Sequence, residues 1–119
     1  MVEVEVAATD PNGILLGAAR PTTVLVDSGA LYTMLDERLA DQLGIPPGFG
    51  RPISLEGIEG NGVTGRLVSI KVGLCGTFID APVMFCARPS PQLLGRTGVF
   101  DQIAFSFLHG QAQLLGTVA

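Results

Sequence analysis

The residue best suited to chemistry in this sequence is Asp27, which ends an apolar run and begins a turn. Residues 24–30 read V-L-V-D-S-G-A, so a carboxylate, a hydroxyl and a flexible glycine directly follow a strand-like stretch. An ionised carboxylate is costly to bury unless it is paired, hydrogen-bonded or held protonated. Asp27 is therefore either a structural turn residue that bonds its own backbone or a group retained for chemistry.

A second motif is L-L-G-R at residues 93–96, within the longer stretch P-Q-L-L-G-R-T-G-V-F-D. It places an apolar pair before a glycine and an arginine, and the following residues, Arg96–Gln102, are compatible with a short helix. Taken alone, neither this motif nor the D-S-G turn specifies a function.

A third motif, G-N-G-V-T-G at residues 60–65, matches the glycine pattern of dinucleotide-binding loops. That pattern works where its last glycine opens a helix whose N-terminus faces the pyrophosphate. Here R-L-V-S-I-K-V follows, which alternates like a strand, so a nucleotide-binding regulator is disfavoured. The stretch instead predicts a hairpin in which Ile53–Ile58 runs out, Glu59–Gly62 turns and Val63–Val72 returns. Such a glycine-rich tip suits a lid.

Composition limits the class of protein. The 119 residues suit a single domain spanning 1–119, with 47% hydrophobic and 15% charged residues. The net charge of −4, with only seven Lys and Arg residues, argues against a nucleic-acid partner. No apolar run approaches the ~20 residues that span a bilayer, and the alternating N-terminus is unlike a signal peptide. We therefore expect a cytoplasmic protein with no membrane partner.

The cysteines and the single histidine suggest no cofactor or metal. Cys75 and Cys86 lie in apolar, strand-like contexts, which favours reduced and buried thiols, although spacing alone does not exclude a disulfide. Two such residues without histidine neighbours do not make a zinc site. His109, in L-H-G-Q, is typical of a solvated hairpin turn. No cofactor is expected.

Period-2 alternation dominates the chain and predicts a mostly β domain. The helix signal is confined to L-D-E-R-L-A-D-Q-L-G-I (35–45), where leucines recur every four residues, Gly44 suits the C-terminal cap and Pro46-Pro47 ends the helix. The predicted strands are Val2–Ala7, Ile14–Ala19, Thr22–Val26, Ile53–Ile58, Val63–Val72, Thr77–Cys86, Ile103–Leu108 and Gln111–Leu115.

Together, V-L-V-D-S-G-A and L-L-G-R, in this order and with a glycine-rich hairpin between them, resemble the retropepsin-like (retroviral-type) aspartic proteases and their single-domain cellular and bacterial relatives. The resemblance covers nearly the whole chain. It implies an all-β fold with one or two short helices, a closed β-barrel of the acid-protease type that carries half of an active site. It also implies an aspartic endopeptidase acting on polypeptides.

The resemblance assigns roles to individual residues. Asp27 would be the catalytic carboxylate, with Ser28, Gly29 and Ala30 supporting the active-site loop. The structural support under the active site would come from the second motif: Leu93, Leu94 and Gly95 would form an apolar layer beneath the loop, and Arg96 would begin the following helix and tie it down. The flap over the substrate would come from the hairpin tip, at Ile58, Glu59, Gly60, Asn61 and Gly62.

The chemistry of this family requires two carboxylates that share one proton. The sequence contains one D-[ST]-G motif, and its other aspartates lack the preceding strand and the following S-G: Asp10, Asp36, Asp41, Asp80 and Asp101. The second carboxylate would therefore come from a second copy of the chain, in a symmetric homodimer. The terminal strands, V-E-V-E-V and Q-A-Q-L-L, are the expected inter-subunit contacts.

One position departs from the retroviral pattern. The acidic residue that commonly follows the motif glycine by two positions, and pairs with the later arginine, is replaced here by Leu31. Arg96 must then find another carboxylate or backbone carbonyls. A non-proteolytic peptide-binding or dimerisation module on the same fold is the alternative to the enzyme, because fold alone does not fix function.

Overall fold

The computed structural model describes residues 1–27, 29–56, 62–74, 76–87, 89, 91–100, 102–108 and 111–117, with backbone only for 56, 100, 103–108 and 111–117. These residues form nine strands and one α-helix. The elements are β1 (Val2–Ala7), β2 (Arg20–Val26), β3 (Thr33–Asp36), α1 (Glu37–Gln42), β4 (Arg51–Glu56), β5 (Gly62–Leu74), β6 (Thr77–Cys86), β7 (Leu93–Leu94), β8 (Ile103–Leu108) and β9 (Gln111–Thr117).

Seven strands make one sheet that closes on itself. Its order is β1-β2-β7-β3-β6-β5-β4, and an additional antiparallel pairing of β1 with β5 completes the ring. The strand β4 extends from β5 as an antiparallel hairpin outside the closure. The strands β8 and β9 pair with each other in a separate two-stranded sheet. The all-β, closed-barrel fold class expected from the sequence is confirmed.

The core fills the inside of this ring with alternate residues from the strands. Val4 and Val6 of β1, Val24 of β2 and Leu35 of β3 are all at most 2% exposed, whereas Glu3 and Glu5 lie on the outside. This is the alternation that a half-buried sheet requires. Among the side chains that the structure describes, the largest that is completely buried is that of Phe85 in β6.

Most of the predicted strands are confirmed, but the one expected over Ile14–Ala19 is wrong. Only an isolated bridge between Thr9 and Leu15 forms there. The Asp10 carboxylate instead accepts from the N–H groups of Asn12 (2.9 Å) and Ile14 (3.0 Å), which holds this segment as a turn. Alternating apolar residues make a strand only where a neighbouring strand offers hydrogen bonds, and residues 14–16 are exposed.

The helix is shorter than its leucine spacing predicts. It begins at Glu37, because the Asp36 carboxylate caps it by accepting from the Arg38 N–H at 2.9 Å. Leu35 lies before the cap, in β3, where parallel pairing with β6 takes precedence over helix propensity. Gly44 follows the C-cap with φ +82°, as the sequence predicts.

The second predicted helix, over Arg96–Gln102, is also corrected. Arg96–Phe100 is a kinked, π-type helical turn, broken by Thr97 at φ −68°, ψ 122° and by Gly98 at φ 77°. Gly98 packs against β6, where an added Cβ would lie 2.6 Å from Pro82 Cδ. No helix among the described residues is long and apolar enough to cross a membrane.

A buried arginine joins the long strand β5 to the segment around α1. Arg66 is 8% exposed, and its guanidinium donates to the carbonyl oxygens of Pro46 (2.6 Å) and Phe49 (2.9 Å) and to the Glu37 carboxylate. Its Nε is buried without a hydrogen-bond partner. Three of its contacts are made with segments distant in sequence, so Arg66 fixes the loop after α1 against the barrel.

Replacing Arg66 with alanine should destabilise the fold by about 2–4 kcal/mol, because it removes three charge-assisted hydrogen bonds and buried aliphatic contacts. Urea unfolding measures the loss, and hydrogen exchange should show faster opening at the amides of residues 48–50. The exposed Arg51 of β4 provides the control, and Arg51→Ala should change the free energy of unfolding little. Equal stabilities for the two variants would contradict the assigned role of Arg66.

Candidate functional site

The candidate site is built where β7 lies between β2 and β3. The strand β2 pairs with β7 in parallel through Leu25–Leu93 and Val26–Leu94, and β3 pairs with β7 antiparallel through Met34–Leu93. The two consecutive strands β2 and β3 are thus separated by a strand from far along the chain. Their connecting loop, residues 27–32, must cross over the end of β7.

Asp27 opens that crossing loop. Its own N–H donates to the Leu94 carbonyl (3.0 Å), which attaches the turn to the end of β7. The Gly29 N–H donates to Asp27 Oδ1 (2.9 Å), and the Ala30 N–H donates to the Asp27 carbonyl (3.1 Å). The carboxylate is therefore oriented by its own turn, yet it remains half-exposed in the single chain. The structural and the chemical interpretations of D-S-G are compatible.

The chain returns beside this loop immediately after β7. The N–H groups of Arg96 and Thr97 donate to the carbonyls of Ala30 and Leu31, both at 3.0 Å. Between these bonds and β7 lies Gly95, which is buried against the loop backbone. An added Cβ at Gly95 would lie 2.3 Å from the carbonyl carbon of Tyr32, so the crossing leaves room for glycine alone.

An apolar row crosses the face that carries Asp27. Leu25 lies two residues before Asp27 on the same side of β2, and the register places Leu93 and then Met34 beside it. Leu93 and Met34 line a groove of about 380 Å³, whose remaining lining residues are Val63, Cys86, Ala87, Pro89 and Pro91. Asp27 thus lies at one end of an apolar surface that continues into a groove large enough for side chains.

The hairpin predicted as a lid reaches this groove near its tip. The strands β4 and β5 pair from Arg51–Leu67 up to Glu56–Gly62, which confirms the hairpin itself. Val63, next to the tip, lines the groove described above. Among the residues expected at the flap tip, Gly62 is exposed at the start of β5; Ile58, Glu59, Gly60 and Asn61 lie outside the described residues.

The structure brings the two sequence motifs together. Asp27 bonds to Leu94 at the end of β7, Ala30 accepts from Arg96, and Gly29 bonds to the Asp27 carboxylate. Leu94 is completely buried. Ser28 lies outside the described residues. The Arg96 side chain is exposed and forms no ion pair with a carboxylate of the described ranges, so only its backbone N–H ties it to the loop.

Cys86 is a buried, free thiol in the wall of the groove; Cys75 lies outside the described residues. Burial raises the pKa of the Cys86 thiol, and the charges of Asp36, its register partner in β3, and of Glu37 raise this pKa further. The neutral thiol therefore acts as a small apolar group here. In the described part of the chain, no three His, Cys, Asp or Glu side chains are grouped to hold a metal.

Sequence reasoning missed two side chains that brace the site. Thr33, 1% exposed, accepts the Gly95 N–H on its Oγ1 at 3.0 Å. Gln92, just before β7, bonds to β2 and to β3 through its side chain. Gln92 precedes L-L-G-R by one residue and Thr33 follows V-L-V-D-S-G-A by three. Their roles depend on the insertion of β7, which no local sequence pattern predicts.

Comparison with known proteins agrees with this geometry. Residues 2–97 match the family model described as aspartyl protease, so the match covers both motifs and the strands around them. No curated protein matches the chain significantly.

Substituting Gly95 with alanine should destabilise the protein by about 3 kcal/mol, since the new methyl group forces the crossing loop away from β7. Urea unfolding provides the measurement. Gly62→Ala is the matched control, because Gly62 has no positive φ and an added Cβ would meet only the Leu55 carbonyl at 3.4 Å. A Gly95→Ala protein as stable as Gly62→Ala would show that the loop adjusts freely.

Cys86 should react slowly with iodoacetamide in the folded protein, because its raised pKa and burial reduce the accessible thiolate. In a Cys75→Ser background, we expect alkylation at least ~10-fold slower than in urea. The unfolded thiol ionises first, near pH ~8.5, so this group's contribution to stability declines as pH rises above that value. Equal alkylation rates with and without urea would contradict the buried, neutral thiol.

Proposed function

Because the chain belongs to the aspartyl protease family, we propose that it is an aspartic endopeptidase whose active site is completed by a second copy of the chain. The family supports aspartic protease activity in general. The observation that carries the specific proposal is the position of Asp27: its turn is bonded to β7 at the exposed end of an apolar row that leads into a groove.

The need for a second copy follows from what the other aspartates do. Asp36 caps α1 and pairs with Arg38, and Asp80 pairs with Lys71 at 2.8 Å. Asp10 closes a turn, and Asp41 lies on the exposed side of α1. None of these four aspartates belongs to the loop that carries Asp27; Asp101 lies outside the described residues. The carboxylate facing Asp27 is therefore proposed to be Asp27 of a second protomer.

Two carboxylates sharing one proton can divide the work of hydrolysis. The ionised carboxylate removes a proton from a water molecule, which attacks the scissile carbonyl carbon, while the protonated carboxylic acid donates its proton to the carbonyl oxygen. The carboxyl group that took the water proton then donates it to the amine nitrogen as the C–N bond breaks. The other carboxylate removes a proton from a hydroxyl group of the tetrahedral intermediate, which forms the product acid and restores the single shared proton. The active form binds a single proton across the pair, so the rate should fall on both sides of an acidic optimum.

The pairing pattern supports the C-terminal hairpin as the dimer contact. The strand β1 is already bonded on both sides, to β2 over Val2–Val6 and to β5 over Glu5–Ala7, which leaves only a short stretch of its edge. Among the described strands, β8 and β9 pair only with each other. The hairpin also neighbours the Arg96–Phe100 turn, which is bonded to the Asp27 loop. We therefore favour Gln111–Thr117 over the N-terminal strand as the inter-subunit strand.

The proposed substrate is a polypeptide with an apolar side chain at the cleavage site. The groove wall is formed by Met34, Leu93, Val63 and prolines, with the neutral Cys86 thiol between them. An apolar side chain gains about 25 cal/mol for each Å² removed from water in such a groove. Val63 belongs to the β4–β5 hairpin, which supports a role for that hairpin as a flap over bound peptide.

Changing Asp27 to asparagine should reduce peptide cleavage by about 10³-fold, since the amide can neither accept the water proton nor share a proton with its partner. The amide oxygen still accepts from Gly29, so the turn should remain folded. A cleavage-profiling assay across acidic to neutral pH provides the measurement, with the exposed Asp41→Asn as the active control. Undiminished cleavage by Asp27→Asn would overturn the mechanism.

Mixing tests whether the site is shared. An excess of Asp27→Asn should suppress wild-type activity by forming mixed dimers with one carboxylate, and Asp41→Asn should not. Activity independent of mixing would mean that each chain acts alone. Binding of a pepstatin-type transition-state mimic without any cleavage by the wild type would favour the peptide-binding module instead.

A further inference from the structure

The side chain of Gln92 spans the barrel wall at the start of β7. Its Nε2 donates to Thr22 Oγ1 (2.7 Å) and to the Thr23 carbonyl (3.1 Å), both in β2. Its Oε1 accepts the Asp36 N–H (2.9 Å) at the end of β3. Its main-chain carbonyl also accepts from Leu25 at 2.8 Å. Gln92 therefore joins β2 to β3 immediately before β7 begins.

This Gln92 bridge, the set of side-chain hydrogen bonds from Gln92 to β2 and β3, replaces backbone pairing between these strands that β7 is too short to supply. Because β7 comprises only Leu93 and Leu94, and pairs with β3 at Met34 alone, few ladder bonds hold β2 and β3 at a fixed separation. A carboxamide is the side chain that offers two donors and an acceptor at one end. Here the donors face β2 and the acceptor faces β3, so each of its groups is used.

The hydrogen bonds of Gln92 lie close to the proposed catalytic turn, both along β2 and along the segment that leads into β7. Thr23 precedes Asp27 by four residues in β2, and Gln92 precedes Leu94, whose carbonyl accepts the Asp27 N–H. Thr33 makes the corresponding bond at the other end of β7, through Gly95. The Asp27 turn therefore rests on a short strand that is braced by one polar side chain at each end.

We propose that Gln92 is a positioning residue for catalysis: by fixing the separation of β2 and β3 around β7, it sets where each Asp27 carboxylate stands relative to its counterpart. This inference rests on the proposed protease function. Two carboxylates share a proton only at close range, so a small displacement of each turn doubles across the two-fold axis. Misplacement of about 1 Å in a reacting group can cost on the order of 10²-fold in rate.

The test compares variants that differ only in the polar groups of this side chain. Gln92→Met keeps the length and removes both donors and the acceptor, and we expect kcat to fall by on the order of 10²-fold, with a smaller change in KM. Gln42→Met is the control. Gln42 of α1 lines a second, open groove together with Gln92, Thr22, Asp36 and Arg38, but it is exposed, so its kcat should match the wild type.

Gln92→Glu tests whether the hydrogen bonds of this side chain, and not only its packing, affect kcat. Its ionised carboxylate can accept from Asp36 but repels the Thr23 carbonyl, whereas its protonated form regains one of the two hydrogen bonds that the amide donates to β2. We therefore expect its kcat, relative to the wild type at the same pH, to recover as pH falls, while Gln92→Met shows no recovery. All assays are run where circular dichroism shows each variant fully folded.

Each result decides between the proposals. A folded Gln92→Met with wild-type kcat, or a Gln92→Glu whose relative kcat does not change with pH, would overturn the positioning role and leave the protease function intact. An inactive wild-type protein would overturn both. Loss of activity that disappears once unfolded protein is corrected for would reduce Gln92 to a stabilising residue.

Discussion

The insertion of β7 between β2 and β3 is the constraint on which the rest of this molecule depends. Two strands that are consecutive in the chain are held apart by a third, so the loop between them must pass over the third strand's end. That crossing brings the Asp27 turn against Leu94 and requires glycine at position 95. The carboxylate, the apolar row and the groove all take their positions from this one topological feature.

The inner face of the sheet stabilises the fold, and the outer face carries the candidate site. Val24 of β2 and Leu94 of β7 point into a core from which water is excluded, whereas Leu25 and Asp27 lie on the outer face at the end of β2. Asp27 is still partly hydrated in the single chain, so the barrel can fold without the full cost of burying a charge. In the proposed dimer that cost arises on association, where a shared proton leaves one negative charge instead of two.

Polar side chains, and not only core packing, determine the geometry near the site. A two-residue strand cannot define its position through ladder bonds, and hydrophobic contacts are non-directional. Gln92 and Thr33 supply directional bonds at its two ends, and Arg66 similarly fixes the loop after α1. Each of these side chains joins segments that are distant in sequence, which is why their removal should be felt beyond their immediate contacts.

The local sequence was sufficient for the elements whose causes are local. Alternation gave β1, β5 and β6, the glycine at position 44 marked the helix end, and D-S-G with L-L-G-R indicated the site. Other features depend on which neighbouring segment offers hydrogen bonds or space. These are the strand β3, the two-residue strand β7, the kink at Gly98 and the absence of a strand at residues 14–19. Tertiary structure alone decided these, and with them the roles of Gln92 and Thr33, because a side chain's partner across a sheet is not encoded in its own segment.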